Sequence, residues 1–165
     1  MPHIRHELLI EASPEKIYDA ITTQEGLAGW WTPQVSATAG LNSTARFPFG
    51  PNYFKEMKIV ELKPAAQVKW ACIAGAGEWV GTTISFNLQP VTREVITERH
   101  PEVTGQMEQL KGADQWTLLQ FHHDDWKNHT PMFAECNYTW ALFLRSLKLL
   151  CETGRGLPWP QQHRV

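Results

Sequence analysis

The sequence predicts a single α+β domain in which a curved antiparallel sheet surrounds a long C-terminal helix. Apolar residues recur at helical spacing over residues 129–153, and they recur at strand spacing over much of residues 44–123. No helical pattern separates those strands, which indicates an antiparallel sheet rather than a parallel one. The 165 residues fit one domain over 1–165, and a hydrophobic fraction of 42% is ordinary for a globular chain.

The first elements are predicted to be a strand and two short helices. Residues 3–12 alternate: one face carries Ile4, His6, Leu8 and Ile10, and the other carries Arg5, Glu7, Leu9 and Glu11. Ser13 suits the N-cap of the following helix, and Pro14 suits its first position because the missing N–H costs nothing there. A second helix is predicted from about Thr23 to Trp30.

Six further strands are predicted in the middle of the chain. They show alternation or β-branched and aromatic enrichment, and turn residues separate them. The segments are 44–49, 53–62, 67–74, 79–89, about 93–100 and 115–123. Together they indicate an antiparallel meander with one solvated face. Residues 101–114 lack a clear period and are interpreted as an extended, mobile hairpin connection.

The segment 129–153 is predicted to be one amphipathic helix. At 100° per residue, one arc of about 140° holds nine side chains, of which one is polar. They are Phe133, Cys136, Asn137, Trp140, Phe143, Leu144, Leu147, Leu150 and Cys151. A helix of about 25 residues is roughly 37 Å long, which is enough to lie across a whole sheet. This order of elements is typical of a helix-grip fold, with the two short helices closing one end.

Four groups of residues carry a resemblance to a known family. They are IEASPEKIYDA at 10–20, EGLAGWW at 25–31, WALFL at 140–144 with SLK at 146–148, and TGRGLP at 153–158. The chain resembles the START-like superfamily (SRPBCC, or Bet v-like), and within it the branch like the activator of heat-shock protein 90 ATPase (AHSA). The resemblance implies the helix-grip fold. In that branch a tight turn often joins the last two strands, whereas about twenty residues (91–113) intervene here.

A cavity is predicted between the sheet and the long helix, because a strongly curved sheet cannot contact one straight helix along its whole length. Aromatic side chains would line it for a small hydrophobic molecule, and Asn137 would orient a polar group of that molecule. The predicted lining residues are Trp30, Trp31, Trp70, Phe86, Phe121, Phe133, Asn137 and Trp140. The alternative for each ring is plain core packing, and for Asn137 it is a buried hydrogen bond.

The sequence predicts no catalytic residue, no metal site and no cofactor. His122 and His123 precede two aspartates, but consecutive strand residues point to opposite faces, so both rings cannot bind one ion. The alternative that one of these two histidines reaches the cavity is left open. Cys72 is interpreted as an inert buried thiol. The main hypothesis is therefore ligand binding without catalysis. The resemblance leaves two alternatives: a cyclase- or dehydratase-like enzyme, and a chaperone-accessory protein.

Charge and composition limit the partners. The net charge is −2 and the basic residues are scattered, which argues against nucleic acid. No apolar run approaches the roughly 18 residues of a membrane span, and no signal peptide pattern is present. The three cysteines, which are not closely paired, indicate reduced thiols in a cytoplasm. A thin apolar stripe of Tyr138, Leu142 and Leu149, with Trp126 and Trp159 nearby in sequence, is either a homodimer surface or ordinary surface.

Overall fold

Seven strands form one antiparallel sheet in the computed structural model, which describes residues 1–109 and 115–165. The strands are β1 (Ile4–Ile10), β2 (Ser36–Ala37), β3 (Thr44–Pro48), β4 (Phe54–Lys63), β5 (Gln67–Gly75), β6 (Thr83–Val91) and β7 (Trp116–Asp124). Their spatial order is β1-β7-β6-β5-β4-β3-β2, so the first and last strands pair. This order leaves β1 and β2 at the two edges of the sheet.

The described residues contain five α-helices. They are α1 (Pro14–Thr22), α2 (Gln24–Trp30), α3 (Arg93–Arg99), α4 (Thr104–Met107) and α5 (Pro131–Thr153). The Ser13 hydroxyl caps α1 by accepting from the Lys16 N–H at 3.2 Å. Helix α5 ends at Gly154, whose φ of 82° suits glycine. The predicted helix-grip fold, with two short helices after the first strand and one long C-terminal helix, is confirmed.

The main core lies between one face of the sheet and helices α1, α2 and α5. Alternate residues of the strands face it, as the period of two requires. The strands contribute Phe47, Met57, Ile59, Val68, Trp70, Ile84, Phe86 and Phe121, and α5 contributes Trp140, Phe143, Leu144, Leu147 and Cys151. This core therefore places the long helix where the sequence predicted it.

A second core lies on the opposite face of the sheet, where the sequence predicted solvent. Strand residues Leu9, Val91, Trp116 and Leu118 pack there against Ile96, Val103 and Met107. The last three residues belong to a segment between β6 and β7 that contains α3, a 3₁₀ turn (Pro101–Val103) and α4. We call the described part of this segment, residues 92–109, the insertion.

The insertion corrects two predictions. Residues 93–100 were predicted to be a strand, but Arg93–Arg99 is a helix whose N-cap Thr92 accepts from the Val95 N–H. Residues 101–109 are mainly helical rather than extended. A short apolar run does not distinguish strand from helix, and packing against the sheet decides it here. Residues 110–114, the end of the predicted connection, lie outside the described residues.

The start of β6 is a smaller correction. A strand was predicted over 79–89, with Val80 on the buried face. Residues 79–81 form a turn, the strand begins at Thr83, and Val80 is exposed. Trp79 in this turn and Thr82 directly after it are buried.

Replacing Ile96 with alanine should lower the free energy of unfolding by about 2–4 kcal/mol, because it leaves a void in the second core. Urea denaturation measures this change. Ile73→Ala is the matched control, since Ile73 is 43% exposed and Ile96 is fully buried. The control should change stability by about 0.5 kcal/mol or less. Equal small effects for both variants would contradict a packed insertion.

Candidate functional site

Five of the predicted lining residues form a closed ring of aromatic contacts. Trp30 contacts Trp31, Trp31 contacts Trp140, Trp140 contacts Phe121, Phe121 contacts Phe86, and Phe86 returns to Trp30. Successive ring centroids lie 4.4–6.2 Å apart. Each of these side chains is at most 2% exposed. In this structure the rings pack against one another as core, and we call these five residues the aromatic cluster.

The other three predicted residues lie around this cluster. Trp70 is buried and reaches it through Phe47, which lies 5.9 Å from Trp70 and 4.2 Å from Trp31. Phe133 is half-buried at the start of α5 and contacts Trp126. Asn137 is exposed, so it does not share the buried arc of α5.

His123 is a fully buried polar group beside the aromatic cluster. The Trp140 Nε1–H donates to His123 Nδ1 at 3.0 Å, so Nδ1 is the acceptor and the ring proton lies on Nε2. Nε2 then donates to the Thr82 hydroxyl at 2.9 Å, and that hydroxyl donates to the Trp79 carbonyl oxygen at 2.7 Å. Both nitrogens are therefore used inside the protein.

The pKa of His123 is lowered to about 3, mainly by burial and in second place by the charge of Lys55. The ring is therefore neutral at neutral pH. It holds Trp140 in place and has no free nitrogen for proton transfer. His122 lies on the opposite face of β7, as predicted for consecutive strand residues.

Lys55 is a buried cation that the sequence analysis missed. Its ammonium nitrogen lies 4.1 Å from the Phe49 ring centroid, 4.6 Å from that of Tyr53 and 4.3 Å from that of Trp79. Among the described residues, no carboxylate pairs with it within 4.0 Å. The aromatic faces stabilise the charge in place of an acidic partner. The sequence does contain a sign of this burial. Lys55 stands two residues before Met57 and four before Ile59, so on a strand it lies on the same buried face as they do.

Burial lowers the pKa of Lys55 from 10.5 to about 8, although Cys136 and Cys72 oppose this shift. Between these values the unfolded chain binds a proton that the folded chain does not. Stability therefore rises with pH from about 8 to about 10.5, and the full cost of burying the charge is present below pH 8.

Replacing Lys55 with methionine should remove this dependence. The quantity to compare is the free energy of unfolding of Lys55→Met minus that of the unmodified protein. This difference should be about 2–3 kcal/mol larger at pH 7 than at pH 10. Urea denaturation at both pH values measures this difference. Lys58→Met is the control, because Lys58 is half-buried on the other face of the same strand. A pH-independent difference for Lys55→Met would contradict a buried ammonium.

A pocket of about 430 Å³ lies between the edge strand β1, helix α4 and helix α5. Leu8, Ala141 and Leu144 supply its apolar surface. The polar side chains around it are His6, Glu7, Glu11, Gln106, Gln109, Arg145, Lys148 and Glu152. We call this pocket the edge cleft. It lies at the β1 edge of the sheet, and its lining residues differ from those predicted for the cavity.

Side chains from two helices fix the walls of the edge cleft by bonding the free backbone groups of β1. The Leu9 N–H donates to Gln106 Oε1 at 3.2 Å, and the Leu9 carbonyl oxygen accepts from Lys148 Nζ at 2.7 Å. The Glu11 N–H donates to Glu152 Oε1 at 2.9 Å. An uncovered strand edge can bind other strands, and these contacts cover the C-terminal end of the β1 edge.

His6 joins the edge cleft to the aromatic cluster. Its ring lines the cleft and lies 6.3 Å from the Phe121 ring. Its Nε2 atom is buried and has no hydrogen-bond partner within residues 1–109 and 115–165. Burial lowers the pKa of His6, and the neighbouring Asn137 partly opposes that shift. The ring is therefore neutral at neutral pH.

The sequence and the fold both match known proteins. Residues 11–152 match the family described as activator of Hsp90 ATPase homolog 1-like protein. This chain belongs to that family. The AHSA resemblance seen in the sequence is thereby confirmed. Among curated proteins, no sequence matches the chain.

Solved structures agree with the family. The Aha1 dimer from Colwellia psychrerythraea is 37% identical, with 94% of this chain and 100% of that chain covered and a TM-score of 0.72. Protein MLL2253 from Mesorhizobium loti is 13% identical (90% and 96% covered, TM-score 0.67). CalU16 from Micromonospora echinospora is also 13% identical (92% and 77% covered, TM-score 0.62). The last two show a shared fold alone.

Within residues 1–109 and 115–165, no helix combines the length and the apolar composition that crossing a bilayer requires.

Proposed function

We propose that this AHSA-family chain binds a small, mostly apolar molecule in the edge cleft. The observation that carries the proposal is a cleft of about 430 Å³ lined by His6, whose buried Nε2 atom has no hydrogen-bond partner among the described residues. Small-molecule sites commonly have volumes of about 300–1,000 Å³, and the edge cleft falls within that range. Its three apolar side chains give the body of a ligand a contact surface, and the polar side chains around them fix its orientation. A buried nitrogen without a partner costs stability, and a ligand that bonds it recovers that cost.

The chemistry of the cleft narrows the class of ligand. Leu8, Ala141 and Leu144 favour an apolar body, and neutral His6 favours one hydroxyl or similar group that can donate or accept. Lys148 and Glu152 already bond β1 and each other. Arg145 is exposed and has no ion pair in the described part of the chain, so it can approach a polar end of the ligand.

In this proposal, the predicted aromatic residues form the inner wall of the binding site. His6 contacts Phe121, which lies 4.4 Å from Trp140. A longer ligand would extend from the edge cleft past His6 and separate these two rings. Trp30, Trp31, Trp70 and Phe86 would then form the far wall. Such a ligand must offset the lost ring contacts, each worth about 0.5–1.5 kcal/mol beyond buried area.

Replacing Ala141 with tryptophan should abolish binding of the fluorescent probe N-phenyl-1-naphthylamine, or weaken it at least tenfold, because the indole would fill the cleft. Fluorescence titration measures the dissociation constant. Ala134→Trp is the matched control, since Ala134 is exposed on the same helix and lies outside the cleft. It should bind like the unmodified protein.

Two results would contradict ligand binding at this place. The first is equal probe affinity for Ala141→Trp and Ala134→Trp. The second is no probe binding by the unmodified protein together with no co-purified compound in native mass spectrometry. NMR spectra of the Trp140 indole N–H would report whether a bound probe also disturbs the aromatic cluster.

A chaperone-accessory role is a second candidate, favoured by the family match and by the 37% identity to an Aha1 protein. Adding the chain to the heat-shock protein 90 of its own organism should then raise the ATPase rate at least twofold. An unchanged rate at saturating chain concentration, with no complex in sedimentation, would contradict this role.

We also propose a homodimer through the outer side of α5. Tyr138 is 60% exposed there, near the half-buried Leu142 and Leu149. Trp126 and Trp159 do not extend this stripe, because Trp126 is buried and Trp159 packs against the main core. The Aha1 protein from Colwellia psychrerythraea is described as a dimer, which supports the proposal.

Replacing Tyr138 with glutamate should shift the protein towards monomer in sedimentation velocity, because a charge would be buried in the interface. Leu41→Glu is the control, since Leu41 is also exposed, at 58%, but lies outside α5. An unmodified protein that sediments as a monomer at micromolar concentration would contradict the dimer.

We place the protein in a reducing compartment such as the cytoplasm. Cys72, Cys136 and Cys151 are all buried free thiols. Mass measurement without reductant should find three thiols, and a disulfide in freshly purified protein would contradict the assignment.

A further inference from the structure

Three side chains that can bind metal converge between β1 and the insertion. Glu7 lies on β1, His100 follows α3, and Glu102 lies in the 3₁₀ turn. One ligand atom from each lies within 4.8 Å of the other two. His100 Nδ1 is 3.1 Å from Glu102 Oε1 and 3.8 Å from Glu7 Oε1. The ligand atoms come from two parts of the chain that are distant in sequence and meet only in the fold.

Within this cluster one imidazole nitrogen faces two carboxylates. His100 Nδ1 carries at most one proton, so it can donate to only one of the two carboxylates at a time. Glu7 Oε1 also accepts from Gln120 Nε2 at 2.9 Å. Within the described residues, neither Glu7 nor Glu102 pairs with a lysine or arginine. Two carboxylates thus face one nitrogen, and a bound ion would satisfy all three.

We propose that Glu7, His100 and Glu102 bind one divalent transition-metal ion, with Zn²⁺ as the best fit. Zinc binds imidazole nitrogen and carboxylate oxygen at about 2.0–2.2 Å, which places tetrahedral ligand atoms roughly 3.3–3.6 Å apart. The separations of 3.1 and 3.8 Å bracket that value, and the two carboxylates lie within 4.8 Å of each other. The fourth position remains for water. Gln120 orients the Glu7 carboxylate, as outer-shell partners of metal ligands do.

The ion would tie the insertion to the edge of the sheet. Val103 and Met107 of the same segment pack in the second core, and Gln106 bonds the Leu9 N–H. The metal would therefore add a third attachment beside an apolar contact and a hydrogen bond. Glu7 and Gln106 also line the edge cleft, so the ion would stabilise one wall of it. Metal binding itself does not depend on a ligand in the cleft.

Isothermal titration of EDTA-treated protein with ZnCl₂ tests the proposal. We expect one ion per chain with a dissociation constant of tens of micromolar or lower. His100→Gln and Glu102→Gln should each weaken binding at least tenfold. Glu98→Gln and His163→Gln are matched controls, since both side chains are exposed and outside the cluster, and they should bind like the unmodified protein. MgCl₂ should bind at least a hundredfold more weakly, because imidazole is a poor ligand for that ion.

A second measurement localises the ion. Saturating Zn²⁺ should slow proteolytic cleavage within residues 92–109 of the unmodified protein and should not slow it in His100→Gln. The proposal is overturned if the unmodified protein binds no Zn²⁺ up to 1 mM (about the weakest affinity of interest). It is also overturned if His100→Gln and Glu102→Gln bind as tightly as the controls, because the ion would then lie elsewhere.

Discussion

The contact between Trp140 and the inner face of the sheet determines where α5 lies, and the rest of the molecule depends on that position. The indole packs against Trp31 and Phe121, and its N–H bonds the buried His123. A ring held by both packing and a hydrogen bond has few alternative placements. The fixed helix then brings Lys148 and Glu152 to the edge strand and forms one side of the edge cleft.

Two buried polar side chains beside this contact, His123 and Lys55, affect the stability of the fold in different ways. His123 is neutral and fully bonded, so it specifies the packing of Trp140 at little cost. Lys55 remains charged below its lowered pKa of about 8 and has only aromatic faces around it, so it costs stability. The two cysteines that influence its pKa, Cys72 and Cys136, lie on β5 and α5.

The insertion links the two faces of the sheet. Its apolar residues form the second core, Gln106 closes the edge of β1, and His100 and Glu102 complete the proposed metal site with Glu7. The edge cleft is bounded by this segment on one side and by α5 on the other. Occupancy of the metal site and the shape of the cleft would therefore be coupled, whereas the aromatic cluster behind His6 stays attached to the main core.

Local patterns in the sequence determined most of the architecture. Ser13-Pro14 and Gly154 mark helix ends, the period of the apolar residues identifies α5 and most strands, and the family segments identify the fold, because each signal depends on neighbouring residues. Tertiary contacts decided the rest. Residues 93–109 are helical because they cover strand residues, Lys55 is buried because of its parity on β4, and the predicted aromatic rings contact each other. Glu7, His100 and Glu102 meet only through the pairing of β1 with β7 and the packing of the insertion. No local pattern contains such long-range contacts, so only the folded chain could show them.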